Sequence, residues 1–359
     1  MSPAKDPFSF GTDIEDNNPA AEDSSDSKAI TTGFEGFASP TQLTRLQDRI
    51  FFINRKMEEF INENQGEPKI LYDAANHLLL AGGKRIRSLL SLLACEAVGG
   101  QREDIVQIAI AEELLQTASL IHDDIIDSDE LRRGVEAVHK RYGEQVAIIA
   151  GDLLIAQSIR LIGEYGTLQL ITQIGRSGVK MCEGEIADIL FITNESESFS
   201  TEEYLIMVEL KTVAFMKEAV RTGAIFGNAS DEQVDALVKY AEMLGFAFQI
   251  RDDILDVIAS TKDIGKPVLS DLQKRRRNYL LIHAIELSSE TRRKQCLEEL
   301  SAGNIKDALD LIEETNAVEY ADDLAQTYAS KAKEALKEQD FAEKDLLELI
   351  AEYVITRTR

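Results

Sequence analysis

Two short acidic clusters dominate the chemistry available to this chain: Asp123-Asp124-Ile125-Ile126-Asp127 and Asp252-Asp253-Ile254-Leu255-Asp256. In each, carboxylates recur at i, i+1 and i+4, and on a helix i and i+4 share a face one turn apart. Asp123 with Asp127, and Asp252 with Asp256, can each hold a cation between them. Hard oxygen ligands of this kind select Mg²⁺ or Ca²⁺ over softer metals. Both clusters close apolar helices: residues 117–122 (TASLIH) precede the first, and 245–251 (GFAFQIR) precede the second. Gln116, Ser119, Asp123 and Asp127 fall within about one third of a helix circumference, as do Gly245, Phe248, Gln249, Asp252 and Asp256. Each stripe is apolar or small below and acidic above. Facing each other, two such stripes make a deep pocket with carboxylates at its mouth. Carboxylates so crowded cannot all stay ionised unless cations neutralise them, and cations held there call for an anion such as a diphosphate. An EF-hand is excluded, because its Asp-x-Asp-x-Asp-Gly loop is missing.

Basic residues stand beside glycine turns and acidic clusters. Gly82-Gly83-Lys84-Arg85-Ile86-Arg87 puts three cations after a glycine pair; Arg132-Arg133-Gly134 follows the first cluster; Lys211-Thr212 lies mid-chain; Lys266 follows the second cluster. Arginine forks grip phosphate oxygens in pairs, and lysine acts as a point charge. Together they suit a site for two diphosphates, one held through metal and one held directly by cations.

The elements that must position these groups read as helices. No proline falls between Pro68 and Pro267 or after Pro267, and strand alternation is hard to find. Proline inside a helix costs about 3 kcal/mol, so long proline-free stretches suit long helices. The apolar period predicts helices over 41–64, 69–82, 84–98, 103–126, 135–163, 166–192, 201–225, 231–258, 277–288, 290–300, 303–314, 316–338 and 341–356, with breaks at Gly99-Gly100, Gly134, Gly227-Asn228 and 265–267. No 20–50-residue repeat is present. The expectation is an all-α fold: a single large helical domain over 41–359, preceded by a disordered acidic tail over 1–40. That tail carries two lysines against eight acids, with few apolar residues to offset the entropy of ordering.

The chain has 359 residues, 44 % of them apolar, enough for a sizeable core. Its net charge of −25 repels nucleic acid at long range. Cys95, Cys182 and Cys296 are far apart with no Cys/His cluster, which argues against a disulfide framework or a zinc site and suits a reducing cytoplasm. No run of about 18 apolar residues is evident, so no membrane span is expected. The first residues lack a signal-peptide pattern.

GGKRIR, ELLQTASLIHDDIIDSDELRRG, MCEGE, KT, FQIRDDILD and GKPVLSDL occur in the order seen in trans-isoprenyl diphosphate synthases, and over about residues 45–356 the chain resembles that family. The resemblance implies the isoprenoid synthase fold around a deep central cavity, usually as a homodimer. It implies that Asp123, Asp127 and Asp252 coordinate Mg²⁺, three ions per site, on an allylic diphosphate. Asp124, Asp253 and Asp256 would support them directly or through water. Arg132, Lys211 and Lys266 resemble the cations that grip that diphosphate, whereas Lys84, Arg87, Gln116 and Arg133 resemble the pocket for isopentenyl diphosphate. Thr212 and Gln249 resemble the polar groups that stabilise developing positive charge. The implied reaction is head-to-tail condensation. Metal and cations stabilise charge on the departing diphosphate, the isopentenyl double bond attacks the allylic carbon, and a proton is lost to the released diphosphate.

The chain departs from the family pattern in places. Ser88 replaces a common Pro. Leu269, Arg275, Arg276, Asn278 and Leu280 stand at the Gly, Gly, Lys, Thr and Pro positions of Gly-x-Asp-Leu-x-x-Gly-Lys-x-Thr-x-Pro, which puts the second diphosphate clamp in question. Arg357 and Arg359 either close over isopentenyl diphosphate or form a frayed basic end. In this family the residues four and five before the first cluster limit product length. Here they are the small Ser119 and Ala118, with Leu115 a turn deeper, so a C20 or longer product is expected. Two other readings share the motifs: a terpene cyclase, which normally lacks a second Asp-Asp-x-x-Asp, and a subunit of a hetero-oligomeric synthase, in which the clusters are usually eroded.

Overall fold

In the computed structural model, the described residues are Phe34, 36–193, 200–258, Leu272 and 278–357. The chain folds as helices joined by short turns: α1 (Pro40–Glu63), α2 (Lys69–Leu80), α3 (Ile86–Ala97) and α4 (Arg102–Ile126). A β-hairpin follows, of β1 (Leu131–Arg132) and β2 (Val135–Glu136), then α5 (Val138–Tyr142), α6 (Glu144–Tyr165), α7 (Leu168–Thr193) and α8 (Thr201–Val208). A π-helical turn (Glu209–Val213) runs straight into α9 (Ala214–Phe226), and α10 (Asp231–Ile258) completes the half that carries both clusters. The chain ends in α11 (Tyr279–Leu287), α12 (Glu290–Ser301), α13 (Lys306–Glu314), α14 (Ala317–Ala335) and α15 (Lys344–Thr356).

α1 starts where its capping chemistry dictates. Ser39 and Gln42 form a reciprocal capping box, with Pro40 at the first helical position. Within the stretch expected as a tail, Phe34 is buried and stacks on Tyr353 of α15 with ring centroids 4.2 Å apart. Residues 1–33 of the expected tail lie outside the described residues.

The single helix expected over 135–163 is corrected. Arg133 (φ 54°) and Gly134 (φ 78°) both take left-handed backbone. A two-residue loop of that hand closes a tight hairpin, pairing Leu131 with Glu136 and Arg132 with Val135. Gly143 (φ 88°) then separates α5 from α6. The helix expected over 201–225 is continuous but contains the π turn, which the apolar period did not reveal.

α4 runs through the centre, packed on α3, α6 and α9, and buries Ile105, Ile108, Leu114 and Ile121. Burying such a side chain contributes roughly 1.5–3 kcal/mol. Two apolar clusters hold the shell together. The larger joins α1–α7, α9, α10, α14 and α15; the second joins α7, α8, α10 and α11–α14. One helix is nevertheless long and apolar enough to cross a membrane by length and composition. α6 has a hydropathy of 1.7 over 18 residues, which corrects the expectation that no such run exists. Its inner face, with Ala147, Ala150, Leu154 and Leu161, is buried against the bundle.

Candidate active site

Asp123 and Asp127 sit on the last turn of α4, and Asp127 N–H donates to the Asp123 carbonyl at 2.8 Å, ending the helix. Asp123 is half-buried, and burial, with Glu185 and then Asp127 adding repulsion, pushes its carboxyl up to about 7 against the pull of Lys211 and Arg132. Lys211 comes from the π turn. Its Nζ lies 2.6 Å from Glu185 Oε2 and 2.6 Å from Asp188 Oδ2, both on α7. Burial alone would lower its pKa, but Asp188, Asp123 and Glu185 outweigh that and raise it. Thus one ammonium is faced by carboxylates from α4 and α7. Close approach makes this possible: a Cβ on Gly184 would lie 2.5 Å from the Lys211 backbone nitrogen.

Asp124 points into the fold. Its carboxylate is fully buried, and Arg132 of the hairpin holds it, Nε donating at 2.7 Å, while the same guanidinium reaches Asp129 at 3.1 Å. The hairpin is thereby anchored to the cluster that precedes it.

The second cluster is built alike. Thr212, next to Lys211, donates through Oγ1 to Gln249 Oε1 at 3.1 Å, and Gln249 Nε2 donates to Asp253 Oδ1 at 3.1 Å. Asp253 also accepts from the Tyr204 hydroxyl at 2.6 Å and the Tyr279 N–H at 2.8 Å, so its carboxylate is committed to the fold. Asp256 is buried, whereas Asp252 is open to solvent over 41 % of its side chain. Arg357 at the end of α15 grips Asp252 at 2.6 Å, lies 4.1 Å from the centre of the Phe248 ring and donates to the Phe248 carbonyl at 3.0 Å. The Arg357 carbonyl in turn accepts from Arg251. Of the two alternatives for the basic end, a frayed Arg357 is thereby set aside; Arg359 lies outside the described residues.

The remaining basic residues divide. Arg87 stacks on Phe215 at 5.3 Å; burial lowers its pKa, with Glu113, Asp252 and Glu112 opposing. It therefore lies in the field of the second cluster. Lys84 Nζ lies 6.0 Å from the Tyr353 ring. Arg133 donates to the Leu78 and Gly82 carbonyls at 2.7 and 2.6 Å, and burial followed by repulsion from Arg85 brings its pKa down to about 10. Gln116 is half-buried on α4, and its carbonyl accepts from Ser119 Oγ at 2.9 Å. Ala118 is buried in the core; Ser119 and Leu115 are half-buried. Lys266 lies outside the described residues. Glu185, Asp188, Tyr204 and Tyr279 were not singled out from sequence. Glu185 belongs to the quoted MCEGE motif, but the two tyrosines carried no local signal.

Lys211 and Thr212, adjacent in sequence, thus stand between the clusters: Lys211 in the field of Asp123, and Thr212 linked to Asp253 through Gln249. No group of three acidic, histidine or cysteine side chains among the described residues already converges at metal-binding separation. The donor set still fits a hard divalent cation: carboxylate oxygens only, one with its proton affinity raised by burial and then by neighbouring carboxylates, which added positive charge relieves.

Comparison with known proteins agrees with this architecture. The family described as polyprenyl synthetase matches residues 68–315. A short chain isoprenyl diphosphate synthase of Methanothermobacter thermautotrophicus is 38 % identical over 319 residues, covering 85 % of this chain and 98 % of that protein. The crystal structure of geranylgeranyl pyrophosphate synthetase from Pyrococcus horikoshii superposes with a TM-score of 0.80 at 33 % identity, over 88 % of this chain and 98 % of the other. A polyprenyl synthase from Caulobacter crescentus, complexed with calcium and isoprenyl diphosphate, gives a TM-score of 0.77 at 28 % identity, over 87 % and 98 %. The fold is the all-α isoprenoid synthase fold. The chain belongs to the polyprenyl synthetase family.

Proposed function

We propose that this chain is a Mg²⁺-dependent prenyltransferase that condenses isopentenyl diphosphate with an allylic diphosphate, head to tail and trans, to a C20 or longer product. The observation that carries this reading is the adjacent pair Lys211 and Thr212: Lys211 is held by Glu185 and Asp188 in the field of Asp123, and Thr212 is bonded through Gln249 to Asp253. In the reading, Asp123, Asp127 and Asp252 offer the carboxylates of the metal-bridged diphosphate site. Asp124, Asp253 and Asp256 stand behind them, and their burial supports a supporting role. Bound Mg²⁺ supplies Lewis-acid neutralisation of the diphosphate. Lys211, Arg132 and Lys266 add cationic donors to the same leaving group.

The allylic C–O bond breaks, and its electron pair leaves with the diphosphate. The hydroxyl of Thr212 and the amide oxygen of Gln249 present dipoles near the positive carbon that develops. Lys84, Arg87, Gln116 and Arg133 orient isopentenyl diphosphate so that its double bond meets that carbon. A C–C bond forms, and a proton passes to the released diphosphate. The apolar wall below excludes water that would quench the cation.

A second copy of the chain is the partner that suits the outer apolar face. Ile149 and Ile159 of α6 and Leu168, Val179 and Ile186 of α7 are more than half exposed in the single chain. Scattered apolar residues are ordinary on a surface, but a run along two neighbouring helices marks an interface. Three unbridged cysteines accord with a cytoplasmic setting.

The deciding experiment incubates the purified chain with Mg²⁺, labelled isopentenyl diphosphate and dimethylallyl, geranyl or farnesyl diphosphate. Label should appear in polyprenyl diphosphates of C20 or more. Turnover of the allylic diphosphate without consumption of isopentenyl diphosphate would instead identify a cyclase. No turnover by the chain alone would point to a missing partner subunit.

A further inference from the structure

On α4 the stripe below Asp123 continues past Ser119 and Gln116 to Glu112, three turns down and within about 20° of Asp123 around the axis. Leu115 and Ala118 lie further round the helix. Side chains on this stripe are half-buried at Asp123, Ser119 and Gln116, then closed at Glu112, which is 1 % exposed. Burial is therefore lightest near the mouth and complete at Glu112, about 16 Å below Asp123.

Two other helices deliver polar groups to that depth. On α9, Glu218 and Thr222 follow Phe215 at i+3 and i+7, one face, and both are buried. On α3, Ser91 lies one turn below Arg87 and is fully buried. α3 and α9 meet here without intervening side chains, since a Cβ on Gly223 would lie 1.9 Å from the Ser91 carbonyl oxygen. Ser91 Oγ donates to Glu112 Oε1 at 3.5 Å, and Glu112 stands in the field of Glu218. Glu112 Oε2, Glu218 Oε1 and Thr222 Oγ1 are buried with no hydrogen-bond partner among the described residues. Three stripes that begin at Arg87, Asp123 and Phe215 converge on one polar patch deep in the bundle.

We infer that Glu112, with Glu218, Thr222 and Ser91, forms a polar floor that stops the growing hydrocarbon tail and so sets the upper length of the product. This rests on the prenyltransferase reading above. Bulk at Ser119 does not supply the stop, because that side chain is small. The floor acts through chemistry instead. Glu112 keeps the Ser91 hydroxyl on one oxygen and Glu218 keeps Arg221 Nε at 3.9 Å on one of its own, but methyl and methylene groups pressed onto the remaining oxygens give no polar contact in return. Further condensation then loses to product release. Glu112 and Glu218 are specificity-determining residues that touch the tail, not the reacting atoms.

The test compares product lengths for wild type, Glu112→Leu, Glu112→Gln and Glu112→Leu/Glu218→Leu. The primer is farnesyl diphosphate, isopentenyl diphosphate is in excess, and the first condensation is measured separately in single-turnover mode. The leucine variants should extend the longest product by one or more isoprene units, the double variant further, while Glu112→Gln keeps the wild-type limit. Leucine variants with the wild-type limit, or a glutamine variant that lengthens as leucine does, would overturn the floor. Should Glu112→Leu fail to fold by thermal melting, Thr222→Val carries the same expectation. A wild-type chain that performs no first condensation would sink the reading of this chain alone as a complete prenyltransferase instead, so the two failures are distinguishable.

Discussion

The guanidinium of Arg357 lies 2.6 Å from the carboxylate of Asp252, and it is buried to all but 3 % while Asp252 stays partly open. A cation from the C-terminal helix thus sits on the most exposed carboxylate of the second cluster. If Asp252 is to serve a divalent metal, Arg357 competes with it. Arg357→Ala should lower the Mg²⁺ concentration needed for half-maximal activity by several-fold and lower stability by about 1–2 kcal/mol. A fully buried pair would cost more, and solvent around Asp252 reduces the loss. Titration of the variant with Mg²⁺ and a denaturant melt check both; a higher Mg²⁺ requirement would count against competition.

Gly184 gives the second prediction. Any side chain there would press on the backbone of Lys211, which cannot give way as a flexible side chain can. Gly184→Ala should move Lys211 away from Asp123 and Glu185 and cost about 10²-fold in kcat, the scale of a misplacement near 1 Å. Circular dichroism should show the helices intact. Wild-type turnover in a folded variant would refute the positioning argument.

Glu112 gives a pH dependence. Burial, with Glu218 and Glu113 adding repulsion against the Ser91 hydroxyl and Arg87, holds its carboxyl well above its ordinary 4.5. A carboxyl raised on folding contributes stability that is complete below the unfolded pKa and lost as pH rises towards the folded one. Glu112→Gln removes that loss. The stability of the variant relative to wild type should climb as pH rises from about 4.5 upward. Chemical denaturation at a series of pH values reads this directly, and a flat difference would show that the carboxyl is not displaced.

Ser119 gives a length prediction at a shallower level. It is half-buried on the stripe below Asp123. Ser119→Phe fills that stripe and should shorten the main product by at least one isoprene unit, read by reversed-phase chromatography after dephosphorylation. The wild-type length distribution from the variant would remove Ser119 from the tail's path.

For the outer face, Ile159→Glu on α6 should weaken self-association. Ile159 is 63 % exposed in the single chain, so a charge there costs little to folding but cannot be buried against a second copy. Light scattering coupled to gel filtration should show a dimer for wild type and a lighter species for the variant. Equal masses would mean that this face is not the interface.

Much of this was legible in the sequence because it is local. The i, i+1, i+4 carboxylates, the apolar periods and the glycine breaks placed both clusters on helix ends, and the helices that carry them formed within a residue or two of the expected bounds. The hairpin at 131–136 was missed because two-residue loops are usually signalled by Asn-Gly or Asp-Gly, and here Arg133 takes the left-handed position. The commitment of Asp253 to Tyr204 and Tyr279 was missed for another reason. Those partners lie 49 and 26 residues away in sequence, and only tertiary packing brings them together. Arg357 is the same case at greater range, 105 residues from Asp252. The role of Lys266 rests on the family resemblance alone.

The π turn at Glu209–Val213 has a consequence for both ends of the shaft. It accommodates one residue more than an α turn. Rewinding the same residues as an ordinary α turn would swing all of α9 by about 100° relative to α8. Lys211 would lose its carboxylates, and Glu218 and Thr222 would rotate out from under Glu112. One extra amino acid thereby phases headgroup recognition and tail measurement on a single rod. Neither can drift without the other, so related chains with a different winding at this point should differ in product size as well as in diphosphate handling.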